Sequence, residues 1–185
     1  EEMRRLLSKA SGNVYTGKKE EAVFSELPNV IIYQLESIPA WAFELDPTPM
    51  PFLKKLIQNN IHVDHFIPNG CSTVNAEFST LCSAFSNNGE HVSETFDDQS
   101  DFNCLPSILS DTYDYTTTYV HASGSEFYNR ELLGKEWGFD DLYFTPYFKN
   151  KETDIVVIND VIDKMKDSEN PILSYIIGYS SHSPH

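Results

Sequence analysis

Asn29-Val30-Ile31-Ile32-Tyr33-Gln34-Leu35-Glu36-Ser37 is the stretch that decides the fold. Its first seven residues are mostly apolar and rich in β-branched side chains. Such a run suits a strand covered on both faces, as in a parallel sheet, because a strand with one wet face alternates instead. It closes on Glu36 and Ser37, polar groups at the carboxyl end of the strand. Ile172 to Tyr179 repeats the signal near the end of the chain. Tyr115 to Val120, rich in Thr and Tyr, reads as another strand ending just before His121, and Ile61 to Ile67 reads as a further one. Helical patterns lie between them. Thr48 as N-cap and Pro49 at the first helical position open one through Phe52, Leu53, Leu56 and Ile57. Thr73 or a neighbour caps a second, from about Val74 to Phe85. Leu105 to Ser110, Glu126 to Leu133 and Asp154 to Lys166 read as three more. Strands alternating with helices imply an α/β fold, a largely parallel sheet sandwiched by helices.

The flanking segments differ from this pattern. Residues 1–27 are polar and charged, broken by Gly12-Asn13 and Gly17-Lys18-Lys19, and read as a linker or stalk. The domain is expected from Pro28 onward, and the abrupt ends at Glu1 and His185 suggest a piece of a longer domain. Residues 87–103, polar and acidic, read as a surface loop.

Composition narrows the partners. The net charge is −15 over 185 residues. That argues against nucleic acid, whose phosphates need a basic footprint, and against broad adhesion to anionic lipid. An anionic substrate would need a local cation, a metal or a few placed Arg and Lys side chains. No run of about 18 apolar residues is present to span a bilayer, and no signal peptide is visible. Cys71, Cys82 and Cys104 fit no zinc spacing. Three thiols allow at most one internal disulfide; Cys82 with Cys104 is one candidate, and the sequence does not select it.

In open α/β sheets ligands gather at the carboxyl ends of the strands. Glu36, the Gly70–Asn75 segment, His121 and His182 all fall at such ends. Each has an ordinary reading beside a chemical one. Glu36 is a loop acid or a ligand for a hard metal. Thr73 is a helix cap or a nucleophile at a helix N-terminus, where backbone N–H groups favour anions. His121 and His182 are surface hydrogen-bonding groups, or groups that bind metal and move protons near neutral pH. Arg130 is a solvated helix charge or a planar fork on a phosphate.

Taken in order, these pieces resemble the sulfatase-like catalytic domain of lipoteichoic acid synthases and related phosphoglycerol transferases, in the alkaline phosphatase/sulfatase superfamily. The resemblance runs from about Asn29 to His185. It rests on residues 29–37, Thr48-Pro49-Met50-Pro51-Phe52-Leu53, Gly70-Cys71-Ser72-Thr73-Val74-Asn75-Ala76-Glu77-Phe78, Leu105-Pro106-Ser107-Ile108-Leu109, His121 through Arg130, Trp137-Gly138-Phe139-Asp140 and Tyr179-Ser180-Ser181-His182-Ser183-Pro184.

The resemblance implies that residues 28–185 are the N-terminal portion of an alkaline phosphatase/sulfatase-like catalytic domain. Residues 1–27 would be a juxtamembrane stalk joined to N-terminal membrane helices. It implies a divalent metal ion, manganese first, with magnesium or zinc as alternatives, held by Glu36 and Thr73. Thr73 would be the nucleophile and pass through a phospho-threonine. His121, Tyr128, Arg130 and His182 would bind the substrate. A phosphoglycerol head group would move from a phospholipid, phosphatidylglycerol, to a hydroxyl acceptor on an envelope polymer or glycan, outside the cytoplasmic membrane.

Tyr128 stands where relatives often carry Trp, Val74-Asn75 where they commonly carry Ser-Asp, and the chain stops before the family's downstream Asp-His metal pair. Cys71 is followed by Ser72-Thr73-Val74-Asn75, without the Pro and Arg of a formylglycine sulfatase. The alternatives are a phosphoethanolamine transferase, a sulfatase-family hydrolase, or an inactive domain that binds lipid head groups.

Overall fold

The structure, a computed structural model, describes residues 26–63, 66, 72–86, 90–95, 102–144 and 154–182. Among them four strands form one sheet: β1 (Val30–Gln34), β2 (Thr116–His121), β3 (Asp141–Tyr143) and β4 (Ile172–Ile177), in the order β1-β4-β2-β3. Every pairing is parallel. The α-helices are α1 (Pro51–Asn59), α2 (Thr73–Cys82), α3 (Val92–Thr95), α4 (Leu105–Tyr113), α5 (Arg130–Glu136) and α6 (Asp154–Asp167). The expected largely parallel α/β sheet is present.

Alternation along the two central strands sends side chains to both faces. Tyr119, Tyr175 and Ile177 pack on one face with Val74, Phe78 and Leu81 of α2, Leu133 of α5, and Trp137. Val120 and Ile176 pack on the other with Val157 and Val161 of α6. A disulfide, Cys82–Cys104, ties the last residue of α2 to the residue that precedes α4.

Besides shifted ends, where α2 stops at Cys82 rather than about Phe85, α5 runs Arg130–Glu136 rather than Glu126 to Leu133, and β2 takes in His121, three elements differ from the sequence reading. The first helix starts at Pro51, not Pro49. Pro51 excludes the residue before it from the helical region, and Met50 accordingly takes φ −123°, ψ 60°. Thr48 is not the N-cap: Met50 takes that position without a side-chain capping bond, and Thr48 Oγ1 instead accepts from the Met50 N–H at 3.1 Å and donates to the Ala42 carbonyl at 2.8 Å. Second, the expected strand at 61–67 is not formed where it is described. Ile61, His62, Val63 and Phe66 lie in no strand, and Ile61 is almost wholly exposed. A short apolar run does not by itself separate a strand from an extended connection; positions 64, 65 and 67, the Asn69-Gly70 turn and nearly all of 1–27 lie outside the described residues. Third, β3 was not foreseen; its three residues are too few for a periodicity to register. The acidic 87–103 stretch also contains the one-turn α3.

Gly138 turns the chain from α5 toward β3 at φ +85°. A Cβ there would stand 2.5 Å from Ser107 Cβ and 2.9 Å from the Ser107 backbone. Gly138→Ala therefore meets both a strained backbone and a wall that cannot rotate away. The expected loss is about 2 kcal/mol or more, read as a lower urea midpoint; an unchanged midpoint would contradict this geometry.

Candidate active site

The register levels the strand ends. Gln34 of β1 and His121 of β2 both pair with Ile177 of β4. Glu36 therefore sits two residues beyond one strand end, His121 on the next, and Gly178 to His182 just past the central one. Gly178 N–H donates to the Gln34 carbonyl at 2.9 Å, and the Ser181 hydroxyl donates to the Glu36 carbonyl. The β1 and β4 loops are thus stitched together at the site.

Glu36, Thr73, His121, Tyr128, Arg130 and His182 all line one cavity of about 320 Å³, joined by Ser123, Phe127 and Tyr179. The outermost of the six candidate residues, Glu36 and His182, lie 146 residues apart in sequence, and the six meet because three parallel strands end at one level. A larger hollow of about 460 Å³ is lined by Glu131, Lys135, Asp140 and Asp141 and gathers none of the candidates; size alone does not mark the chemistry.

Thr73 is the first residue of α2, and Ser72 occupies the N-cap without a side-chain capping bond. The Thr73 hydroxyl donates instead to Glu36 Oε1. Two oxygen donors from different elements thus touch at the cavity wall. Such a pair suits a hard divalent cation and supplies part of a ligand set; among the described residues no group of three or more His, Cys, Asp or Glu side chains could hold a metal.

Arg130 is not a solvated charge. It is 2% exposed, and its Nη2 donates to Glu77 Oε1 at 3.1 Å. Tyr119 OH donates to Glu77 Oε2 at 2.6 Å, and Glu77 is fully buried. Burial pushes the Glu77 carboxyl up while Arg130 and the phenol pull it down. Burial is the largest influence on Arg130 and works against its charge, but Glu77 and Tyr119 together outweigh it and the guanidinium pKa rises. Burial prevails and leaves the Glu77 carboxyl above its usual range, while both of its oxygens accept hydrogen bonds, from Arg130 and from Tyr119. Arg130 Nη1 also donates to the Phe127 carbonyl at 3.3 Å, and the guanidinium lies 5.1 Å from the Tyr128 ring centroid. Tyr128 takes φ +61° between two short helical segments.

Burial holds His121 well below the ordinary imidazole value of 6.5, at about 4, and the Arg130 charge acts in the same sense. His121 is therefore neutral at pH 7. Its Nδ1 lies 3.4 Å from the Ile177 carbonyl, which can only accept, so that contact favours a proton on Nδ1 and leaves Nε2 as an acceptor. The Tyr179 ring packs between His121 and His182, 6.0 Å from each by ring centroids.

The sequence reading missed two acids and an amide. Asp154, at the start of α6, accepts from Tyr33 OH at 2.8 Å and from the Tyr179 and Ser180 N–H groups at 2.8 and 3.2 Å, fixing the loop that carries His182. Glu77 had a legible signal: it shares a helix face with Val74 and Leu81, so a charge interrupts an apolar stripe. Asn75 donates to the Glu90 carbonyl at 3.1 Å and accepts from the Val92 N–H at 2.9 Å. It thereby holds the segment whose His91 packs 5.0 Å from the Tyr128 ring.

This arrangement brings oxygen donors and a buried cation together at the carboxyl edge of a parallel α/β sheet. The chain belongs to the sulfatase family, within the alkaline phosphatase superfamily; the family model matches residues 28–185. Its fold is similar to that of the lipoteichoic acid synthase LtaP from Listeria monocytogenes, with a TM-score of 0.75 and 24% identity over 85% of this chain and 41% of that one. An alkaline phosphatase superfamily protein from Vibrio parahaemolyticus gives 0.74 and 18%, over 86% and 42%. The Streptococcus pyogenes phosphoglycerol transferase GacH, in complex with sn-glycerol-1-phosphate, gives 0.61 and 20%, over 80% and 44%. The chain thus spans about two fifths of the length of these structures. Enzymes of this superfamily typically use divalent metals.

The low pKa of His121 makes stability depend on pH. The unfolded imidazole takes up a proton near pH 6.5, and the folded one resists until about 4. Stability is complete above 6.5, falls as pH drops from 6.5 to 4, and levels below. The full drop is about 3 kcal/mol at roughly 1.4 kcal/mol per pH unit. With chelator present, His121→Gln is expected to flatten this part of the denaturation profile; an equal slope in both proteins would assign it to other groups.

Proposed function

We propose that this chain carries the nucleophile-bearing part of a metal-dependent phosphotransferase of the phosphoglycerol transferase type. The observation that supports this most is the Thr73 hydroxyl aimed at Glu36 in a cavity that also presents Arg130. Glu36 and Thr73 would hold the ion. When bound, a divalent cation lowers the pKa of the Thr73 hydroxyl and neutralises phosphoryl oxygens, supplying charge that an acidic chain lacks.

In the first half-reaction Thr73 Oγ1 attacks the phosphorus of a phospholipid diester, phosphatidylglycerol in this reading. The hydroxyl proton leaves toward Glu36 Oε1, the acceptor it already addresses. An O–P bond forms at Thr73, the O–P bond to diacylglycerol breaks, and the departing alkoxide takes up a proton. In the second half, a hydroxyl on an envelope polymer or glycan attacks the phosphorus of the phospho-threonine diester, the bond from phosphorus to Thr73 Oγ1 breaks, and the proton lost by the acceptor hydroxyl is balanced by the one that Thr73 Oγ1 takes up. Arg130 holds a phosphoryl oxygen with charge-assisted hydrogen bonds. Neutral His121 offers Nε2 to a head-group hydroxyl, Tyr128 closes over the head group, and His182 stands beside the reacting phosphate.

Residues 28–185 would be the N-terminal portion of the catalytic domain and 1–27 its stalk toward a membrane anchor. No described helix is long and apolar enough to cross a membrane. The Cys82–Cys104 disulfide supports an extracytoplasmic setting, since disulfides persist in oxidising compartments.

Intact-mass measurement of the full-length protein, incubated with manganese and phosphatidylglycerol vesicles, should reveal a phosphoglycerol adduct that Thr73→Ala lacks. Phosphatidylethanolamine in parallel decides the donor, because a phosphoethanolamine adduct keeps the nucleophile and changes the head group. With intact fold and bound metal, absence of both the adduct and diacylglycerol release would leave a head-group binding domain. Glu36→Ala should weaken manganese binding at least tenfold by titration calorimetry; unchanged affinity would remove Glu36 from the metal site.

A further inference from the structure

We propose that Glu77 is a positioning residue that sets the orientation of the Arg130 guanidinium toward the bound anion; this rests on the reading of Arg130 as the phosphate clamp. Glu77 lies one turn along α2 from Thr73, so the hydroxyl in the cavity and the carboxylate beneath it share one helix face. The rise over four residues is about 6 Å. A single rigid turn therefore sets the spacing between nucleophile and clamp.

The buried pair is poorly explained as a source of stability. Desolvating two ions costs several kcal/mol for each, and apolar residues of similar volume often serve as well. Its geometry fits a different use. Glu77 Oε1 holds Arg130 Nη2 at 3.1 Å, the Phe127 carbonyl holds Nη1 at 3.3 Å, and the Tyr128 ring lies 5.1 Å from the guanidinium. Glu77 is itself held by Tyr119 OH through its other oxygen. The fork is therefore restrained at both Nη atoms. Arg130 Nε is buried and has no hydrogen-bond partner among the described residues, while Arg130 lines the cavity that holds Thr73. A buried N–H without an acceptor is costly, and an oxyanion entering the cavity would supply one.

Glu77 also offsets the Arg130 charge, so positioning and simple electrostatics predict opposite results. Removing the carboxylate raises the local positive potential. If charge alone bound the anion, Glu77→Gln would tighten binding. If Glu77 orients the fork, the same change loosens it.

The experiment is titration calorimetry of the full-length protein with inorganic phosphate, magnesium present throughout. Glu77→Gln should raise the Kd at least fivefold, and Tyr119→Phe, which removes only the phenol bond to Glu77, two- to fivefold. In the Arg130→Lys background, where no planar fork remains to be oriented, Glu77→Gln should have no further effect; a purely structural role would weaken binding there as well. Circular dichroism establishes that each variant is folded, and should Glu77→Gln fail to fold, Tyr119→Phe decides. Equal or tighter phosphate binding in a folded Glu77→Gln or Tyr119→Phe protein overturns the positioning role. Undiminished binding in Arg130→Ala, or none in the unaltered protein, overturns the clamp reading and the role of Glu77 with it.

Discussion

Everything at the site depends on β4 being hydrogen-bonded on both edges to strands that run its own way. All six of its residues are buried. Such a strand has no freedom of register, since a slip of one residue would turn one face's side chains into the other. Fixing β4 fixes Gln34 and His121 at the level of Ile177, and so fixes where the three following loops begin. The loops are then bound by directed hydrogen bonds rather than by apolar packing: Asp154 holds the β4 loop, and Ser181 joins it to the Glu36 backbone. A rigid sheet with polar stitching at one end gives a cavity whose wall groups are held before any ligand arrives, the condition under which electrostatic catalysis is effective.

Much of this was legible in the sequence because parallel strands announce themselves. The apolar runs at 29–35 and 172–179 and the Thr- and Tyr-rich run at 115–120 each became a strand, and the polar residues after them became the cavity wall. What stayed hidden depended on partners far away in sequence. Glu77 is an ordinary helix acid until Arg130, 53 residues on, folds over it. Asp154 is an ordinary first-turn acid until the β4 loop lies against its carboxylate. The strand reading that fails at Ile61, His62, Val63 and Phe66 and the two-residue error at Pro51 have local causes: apolar residues left exposed, and a second proline that forbids a helix before it.

The acidic composition does not set the charge inside the cavity. One guanidinium is brought into the wall of a cavity and balanced by a carboxylate behind it. Cations such as Lys135 and Lys166 pair with acids on the exposed surface, where screening leaves such bonds weak. Net charge therefore says little about what the cavity prefers, because short charge-assisted hydrogen bonds in a desolvated site outweigh a diffuse surface field.

Asn75 has a consequence for anyone redesigning this domain. Its amide gives a proton to one backbone group and receives one from another, two residues apart. A carboxylate can only receive. Replacing Asn75 by Asp would set two like oxygens, the new carboxylate and the Glu90 carbonyl, against each other. The segment behind Tyr128 would then have to find another anchor. The side chain and the loop it ties form one unit and have to be exchanged together.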